Sequence, residues 1–442
     1  MTSSRYDSAV TKAPLPRIIK LRNRPGVDLA LRSNRVGAAL MEGWSDDGRW
    51  QIILPWPEEV RELSWGTARD WKSVLRDLDD EVVKDASAQL PFAGGWVGFI
   101  SYEAAACEEA VSPRDTHPAE PPLFFARHRA GVAVAPDGVA FLFAPPGSED
   151  RYTSMLDDRL PARPRVESRH SSLQDSLANG LHGRLVGRIR EAIRDGDVYQ
   201  VNLTRSLSSE GWCDPEGLYR ALTGANPPPF SAMIRGRDWS VVSASPELFL
   251  RFDRASGVAE SRPIKGTIRR TGDDAAEIAA LLSSEKDNSE HLMIVDVVRN
   301  DFGKIAPPSR VTVPQFRTVR TLEQLHHLES TVRAAGIGGV GVTDIVAALS
   351  PAASITGAPK RAAVEMIRDL EPLSRGVYCG SIGMVSALGV TLSVAIRTSV
   401  VDDRGVRYHT GGGIVWDSAA DAEDDECRAK AAAFLEYVKE QE

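Results

Sequence analysis

Between Ile18 and Ala144 the chain is divided into apolar runs of strand length: WQIIL (50–54), GGWVGFISY (94–102), GVAVA (131–135) and VAFLFA (139–144), separated by Pro, Gly and Asp clusters. Short apolar runs bounded by turn formers read as strands, and Pro136-Asp137-Gly138 between two of them reads as a hairpin turn. The pattern changes after 145–172, a stretch rich in Pro, Ser and charge that reads as a linker or an exposed crossing segment. Beyond it, helical and extended patterns interleave. Leu185, Ile189 and Ile193 recur at steps of four within 184–197, whereas WSVVSA (239–244) and LFLRF (248–252) are strand-like. No internal repeat is visible. A chain patterned this way predicts a sheet-rich α+β fold, and its 442 residues with 42% hydrophobic content suffice for one large domain or two ordinary ones.

Composition narrows the function classes. A net charge of −8 argues against nucleic acid as the main partner, since a phosphate-binding surface needs a clustered basic excess. Cys107, Cys213, Cys379 and Cys427 are scattered, with no CxxC pair, and read as reduced structural thiols instead of a zinc site. The first 20 residues lack the apolar core of a signal peptide, and no run approaches the ~20 apolar residues of a membrane span. The expectation is a soluble, cytoplasmic protein with no membrane contact.

Carboxylates supply the first chemistry. In SSEKDNSEHLMIVDVVRND (283–301) apolar residues recur with helical spacing, which places Asp287 and Glu290 on one face; DAEDDECRAKAAAFLEYV (421–438) repeats the arrangement with Glu423 and Glu426. Two such faces can be merely solvated, or can meet around a hard divalent cation that prefers carboxylate oxygens. SITGAPKRAAVEMIRDLEP (354–372) reads as a helix starting at Pro359 with Ala363, Met366, Ile367 and Leu370 as its buried stripe. Its free amides, just after Thr356, Gly357 and Ala358, would form an anion site; a plain helix start is the blander reading. The glycines of TGGGIV (410–415), Gly411, Gly412 and Gly413, would let backbone N–H groups approach a ligand, or form a tight turn. GIGGVG (336–341) fits a dinucleotide-binding pattern literally, but the charged segment before it does not read as a buried strand, and no acidic residue follows at the required distance. It reads as a loop before a helix beginning near Thr343. No nucleophile elbow, P-loop or metalloprotease motif is present.

The strings SASPELFL (243–250), PIKGT (263–267), SEHLMIVDVVRND (289–301), SITGAPK (354–360), AIRTSV (395–400) and TGGGIVWDS (410–418) stand in this order, and together they resemble the chorismate-utilising enzymes over roughly residues 180–437. That family includes anthranilate, aminodeoxychorismate, isochorismate and salicylate synthases. The resemblance implies its fold: two large stacked antiparallel sheets with outer helices, in which an N-terminal region (15–150) and a chorismate-binding domain (178–437) interlock into one globule. It also implies roles. Glu290 and Glu426 would ligate Mg²⁺ with Glu423 and Asp287 supporting; Arg397 would grip the enolpyruvyl carboxylate with Tyr378 nearby; His327 would line the ring; Glu247 would protonate the departing C4 hydroxyl. Most lysines are solvated surface charges. At Lys265, however, anthranilate and isochorismate enzymes look to carry alanine, and lysine resembles the aminodeoxychorismate-forming members, in which a deprotonated amine adds at C2 and ammonia then enters at C4. A desolvated site near a cation would favour that free amine. Gln200 stands where water-activating members look to have lysine, and glutamine cannot act as such a base. This chain has no recognisable glutaminase segment, so the resemblance implies a separate glutamine amidotransferase subunit as the source of ammonia. The alternatives are an anthranilate synthase component and a non-catalytic chorismate-binding protein.

Overall fold

In a computed structural model of the chain, residues 15–440 are described apart from 24, 32, 34, 47–48, 83–89, 115–117, 157–168, 171 and 322–324. The N-terminal strand runs emerge as read: Gly131–Val134 and Ala140–Ala144 form the expected hairpin, with Gly138 at φ 86 in its turn. Much of 145–172 lies outside the described residues. Its first part is not a bare linker but the helix Glu149–Leu156, whose Tyr152 packs on Trp56 with centroids 5.1 Å apart.

Two antiparallel sheets of 13 and 10 strands carry the molecule. N-terminal strands enter both. Ala39–Glu42 pairs with Phe230–Arg235 in the larger sheet, whereas Gly95–Ile100 pairs with Ser381–Ser386 in the smaller. Strands from the first 100 residues and from the C-terminal part thus share both sheets. Between the sheets lies an aromatic and aliphatic core: Trp239 of the larger sheet meets Phe99 and Phe124 of the smaller edge-on, at 5.5 and 4.9 Å. Such pairs contribute about 0.5–1.5 kcal/mol each beyond the area they bury. Helices cover the outer faces: Phe434 and Val438 cluster with Met233 and Val401, while Ile294, Val298 and Phe302 cluster with Leu250 and Val332.

Three local readings change. The C-terminal helical segment is two helices, Ala420–Lys430 and Ala432–Lys439, because Ala431 leaves helical geometry (φ −93, ψ 0). Pro359 is the residue before the helix Lys360–Leu370 and not its first, and Val364 takes a buried place where Met366 is only partly buried. The segment before GIGGVG is a largely buried strand, Leu325–Ala334, but it runs antiparallel to its neighbours and so does not form the parallel unit that a dinucleotide site requires. The glycines do form the loop before a helix, Val342–Leu349.

Candidate active site

Two strand pairs, one from each sheet, hold the candidate residues. Gln200–Trp212 and Gly405–Ile414 lie in register with Asn202 opposite Gly413 and Leu203 opposite Gly412. In the smaller sheet Ile264–Arg269 pairs with Leu325–Ala334, and the register breaks between Ile264 and Thr267, where Lys265 and Gly266 stand. A break of this kind re-aims a side chain. Gly266 has φ 89, which strains any residue with a side chain, and a Cβ there would meet Asp287, Leu281 and Leu328 at 3.3 Å each, so these neighbours would have to give by a few tenths of an ångström.

The bulge directs Lys265 at the larger sheet. A Cβ on Gly413 would lie 2.9 Å from Lys265 Nζ and 2.7 Å from Gln200 Nε2, and one on Gly412 would lie 3.2 Å from Glu423 Oε2. The glycine triplet is thus neither a turn nor a loop but the C-terminal part of a strand, left bare where lysine, amide and carboxylate approach it. Lys265 Nζ donates to Glu290 Oε2 at 2.6 Å, with the lysine side chain 20% exposed. Burial works against the ammonium here, but Glu290, then Glu426 and Glu423, outweigh it and hold the Lys265 pKa above its ordinary value. With the carboxylates against it the ammonium is favoured; the free amine is the expectation beside a cation, which would compete for the same carboxylates.

The remaining candidates separate into groups facing this point and groups engaged elsewhere. Glu247 is 4% exposed, and burial pushes its carboxyl up to about 7, outweighing the polar groups of Ser354 and the Ile264 backbone beside it. Both polar atoms of the Gln200 side chain are buried without a hydrogen-bond partner among the described residues. His327 accepts from or donates to Thr267 Oγ1 through Nδ1 at 2.7 Å, and its Nε2 has no hydrogen-bond partner; burial and then Arg397 lower its pKa to about 3, so the ring is neutral. Arg397 makes no ion pair among the described residues, and burial depresses its pKa. Its φ of 51 is unusual for a residue with a side chain, as is that of Cys379 (63) beside Tyr378. Tyr378 stacks on His409 at 5.3 Å. Thr356, by contrast, spends its hydroxyl on the Ala352 carbonyl at 2.9 Å. Gly357 and Ala358 pair as a short strand with Val201 and Gln200, which positions the Gln200 backbone.

Glu290, Glu423 and Glu426 gather around the Lys265 ammonium, but their oxygens do not all lie within 4.8 Å of one another. Glu423 accepts from Ser418 Oγ at 2.6 Å and Glu426 pairs with Lys430 at 2.7 Å. In kind the set suits Mg²⁺: hard oxygens, and three carboxylates against the two ammonium groups of Lys265 and Lys430.

His291 was not apparent from the sequence. Ser330 Oγ accepts from the Arg317 backbone N–H at 2.9 Å, so its own proton goes to His291 Nε2 at 2.6 Å, and His291 Nδ1–H then donates to the Lys265 carbonyl at 3.2 Å. Burial holds this imidazole neutral, with its pKa lowered to about 4. It clamps the backbone that carries the lysine. In EHLMIVD a histidine among apolar residues gives no sign of this, since its partners come from distant strands.

The sequence model of the chorismate binding enzyme family matches residues 44–436. This chain belongs to that family. Among curated relatives of this chorismate binding enzyme is aminodeoxychorismate synthase component 1 of Salmonella typhimurium, 35% identical over 354 residues, which are 78% of this chain and 77% of that protein. The aminodeoxychorismate synthase of Streptomyces pristinaespiralis is 35% identical over 416 residues, 86% of this chain, and the chain spans only 56% of its length. Among solved structures, anthranilate synthase component I from Streptococcus pneumoniae TIGR4 superposes with a TM-score of 0.77 at 27% identity, covering 88% of this chain and 92% of that one. The two stacked antiparallel sheets with outer helices are thus the family's fold. No described helix is long and apolar enough to cross a membrane.

Gly413 offers a direct test of this bare stretch of strand. The atoms that a Cβ would strike are the ends of side chains, so Gly413→Ala is expected to fold with an unchanged unfolding temperature. Displacing Lys265 Nζ and Gln200 Nε2 by about 1 Å is expected to lower kcat with chorismate about 10²-fold.

Proposed function

We propose that this chain aminates chorismate at C4, giving 4-amino-4-deoxychorismate for p-aminobenzoate and folate synthesis. The observation that carries this reading is Lys265 Nζ, set by a bulge at the centre of the site and bonded to Glu290 at 2.6 Å. Curated relatives named aminodeoxychorismate synthase support the same activity, while others at 28–32% identity are named anthranilate synthase component 1.

Chorismate enters with its carboxylates toward Arg397 and toward Glu290, Glu423 and Glu426, where Mg²⁺ would be held. When bound, the metal neutralises the ring carboxylate and makes the ring a better electrophile. The Lys265 ammonium first gives a proton to Glu290, the base within reach. Its lone pair then attacks C2; the two ring double bonds each shift one position, and the C4–O bond breaks. Glu247, neutral near pH 7, gives its proton to the leaving hydroxyl, which departs as water. Ammonia attacks C4, the double bonds return, and the C2–N bond to Lys265 breaks; the proton shed by the new C4 ammonium restores Glu247, and Glu290 returns its proton to the released amine. The net change is chorismate plus ammonia to product plus water, with the enolpyruvyl group kept. Gln200 and His327 Nε2 offer buried hydrogen-bonding atoms to the substrate without acting as bases toward water.

Ammonia is supplied by a separate glutamine amidotransferase, as the word component in a relative's name supports. The test is mass spectrometry of products from chorismate and Mg²⁺ with an ammonium salt, then with glutamine and that subunit. An amine in place of the C4 hydroxyl is expected in both. Anthranilate in the first assay would overturn the reading, and a chain that neither binds the subunit nor uses glutamine would remove the partner. The anthranilate reading has the Streptococcus pneumoniae likeness in its favour but leaves Lys265 without a task.

A further inference from the structure

On the strand Leu325–Ala334, next to His327, stands His326, fully buried and directed at a second group of ionisable side chains. His326 Nε2 lies 3.3 Å from Asp274 Oδ1 and 3.5 Å from Glu277 Oε2, and these are the described His, Cys, Asp and Glu residues whose ligand atoms gather within 4.8 Å as a group of three. Neither His326 Nε2 nor Glu277 Oε2 has a hydrogen-bond partner among the described residues, although both residues are more than nine-tenths buried.

The far atom of each residue is already held. Thr321 Oγ1 engages His326 Nδ1 at 2.9 Å. Glu277 Oε1 accepts from the Thr271 backbone N–H and hydroxyl, both at 2.7 Å. Arg270 grips Asp274 through Nη2 to Oδ2 at 2.7 Å and through Nε to Oδ1 at 2.9 Å. Orienting contacts of this kind surround metal ligands. The spacing agrees as well: a tetrahedral ion bound at about 2.1 Å sets its ligand atoms roughly 3.4 Å apart.

We infer that Asp274, Glu277 and His326 form a second cation site, which takes a divalent transition metal such as Zn²⁺ or Mn²⁺ through one imidazole nitrogen and two carboxylate oxygens. Nδ1–H of His326 donates to Thr321, leaving Nε2 with its lone pair toward the ion. The metal displaces Arg270 Nε from Oδ1 while Nη2 keeps Oδ2. Asp274, with its side chain 45% exposed, opens the path for entry and leaves room for water as a further ligand. This donor set, nitrogen with oxygen, favours such ions over Mg²⁺. The bound ion ties the helix Asp274–Ser283 to the strand Leu325–Ala334 across residues 270–273, which leave the strand that carries Lys265. The site is separate from the carboxylates around Lys265 and does not depend on the proposed amination.

The test is metal content. The full chain is incubated with Zn²⁺, passed through a desalting column and assayed by atomic emission, beside Glu277→Gln, His326→Ala and Glu290→Gln. Gln at 277 retains an oxygen for Thr271, so this variant is expected to fold even where His326→Ala does not. The expected result is one equivalent of Zn²⁺ in the parent and in Glu290→Gln, lost in Glu277→Gln, with a rise in unfolding temperature on Zn²⁺ addition that Glu277→Gln lacks. Equal zinc in the parent and Glu277→Gln, or none in the parent, would overturn the site and leave a histidine ion-paired with two carboxylates.

Discussion

Lys265→Ala is expected to lower formation of 4-amino-4-deoxychorismate about a thousandfold, which corresponds to about 4 kcal/mol in barrier height. The amine is the attacking group in the proposed first step, and ammonia would have to reach C4 without it. The variant should also report on the carboxylates. Glu290 is 4% exposed and bonded to Lys265; removing one member of such a pair leaves a buried charge and costs about 3–5 kcal/mol of stability. A divalent cation can take over that balancing role. Added Mg²⁺ is therefore expected to raise the unfolding temperature of Lys265→Ala more than that of the parent. Activity and stability are read separately, so a folded variant with unchanged product formation would remove the lysine from the chemistry, whereas an equal Mg²⁺ response in both proteins would remove the metal from these carboxylates. A mass gain on the Lys265 peptide equal to chorismate less water, seen when ammonia is withheld, would identify the adduct.

Some of this was legible in residue order and some was not. Short apolar runs between turn residues identified the strands at 51–54, 95–100, 131–134 and 140–144 because a strand's period is local. Which sheet each strand joins was not legible. Ala39–Glu42 and Gly95–Ile100 read alike, yet they join different sheets, a choice set by partners far along the chain. Carboxylate pairs on helices could be placed on one face from spacing alone, but not the lysine that reaches Glu290 from 25 positions away. Its charge state follows from that contact and so is not legible in the sequence. The glycines at 411–413 read as a place of close approach to a ligand, and the groups that approach them here are side chains of the neighbouring strand, the opposite sheet and a helix. His291 and the bulge at Gly266 were missed, since a clamp made by Ser330 on a remote strand leaves no trace in local sequence.

Glu247 should give the steepest pH signature. Its carboxyl has an ordinary value of 4.5 and is pushed to about 7, burial being the first cause. As general acid it must be protonated, so kcat/KM for chorismate is expected to fall about tenfold per pH unit above 7. Glu247→Gln should lose about 10²–10⁴-fold in kcat and flatten that limb. The same shift acts on stability. A folded-state pKa above the unfolded one means that the fold favours the neutral carboxyl; this contribution is fully present below pH 4.5 and is lost as pH rises through about 7. The difference amounts to roughly 3 kcal/mol at alkaline pH. Glutamine cannot ionise, so Glu247→Gln is expected to be more stable than the parent at pH 8, by up to about 3 kcal/mol, and to gain nothing from this source at pH 4. Denaturant unfolding at the two pH values decides the matter. A stability difference that does not change between them would mean that Glu247 titrates in the fold as it does in the unfolded chain, near 4.5, and a carboxylate ionised at neutral pH has no proton to give to the departing hydroxyl.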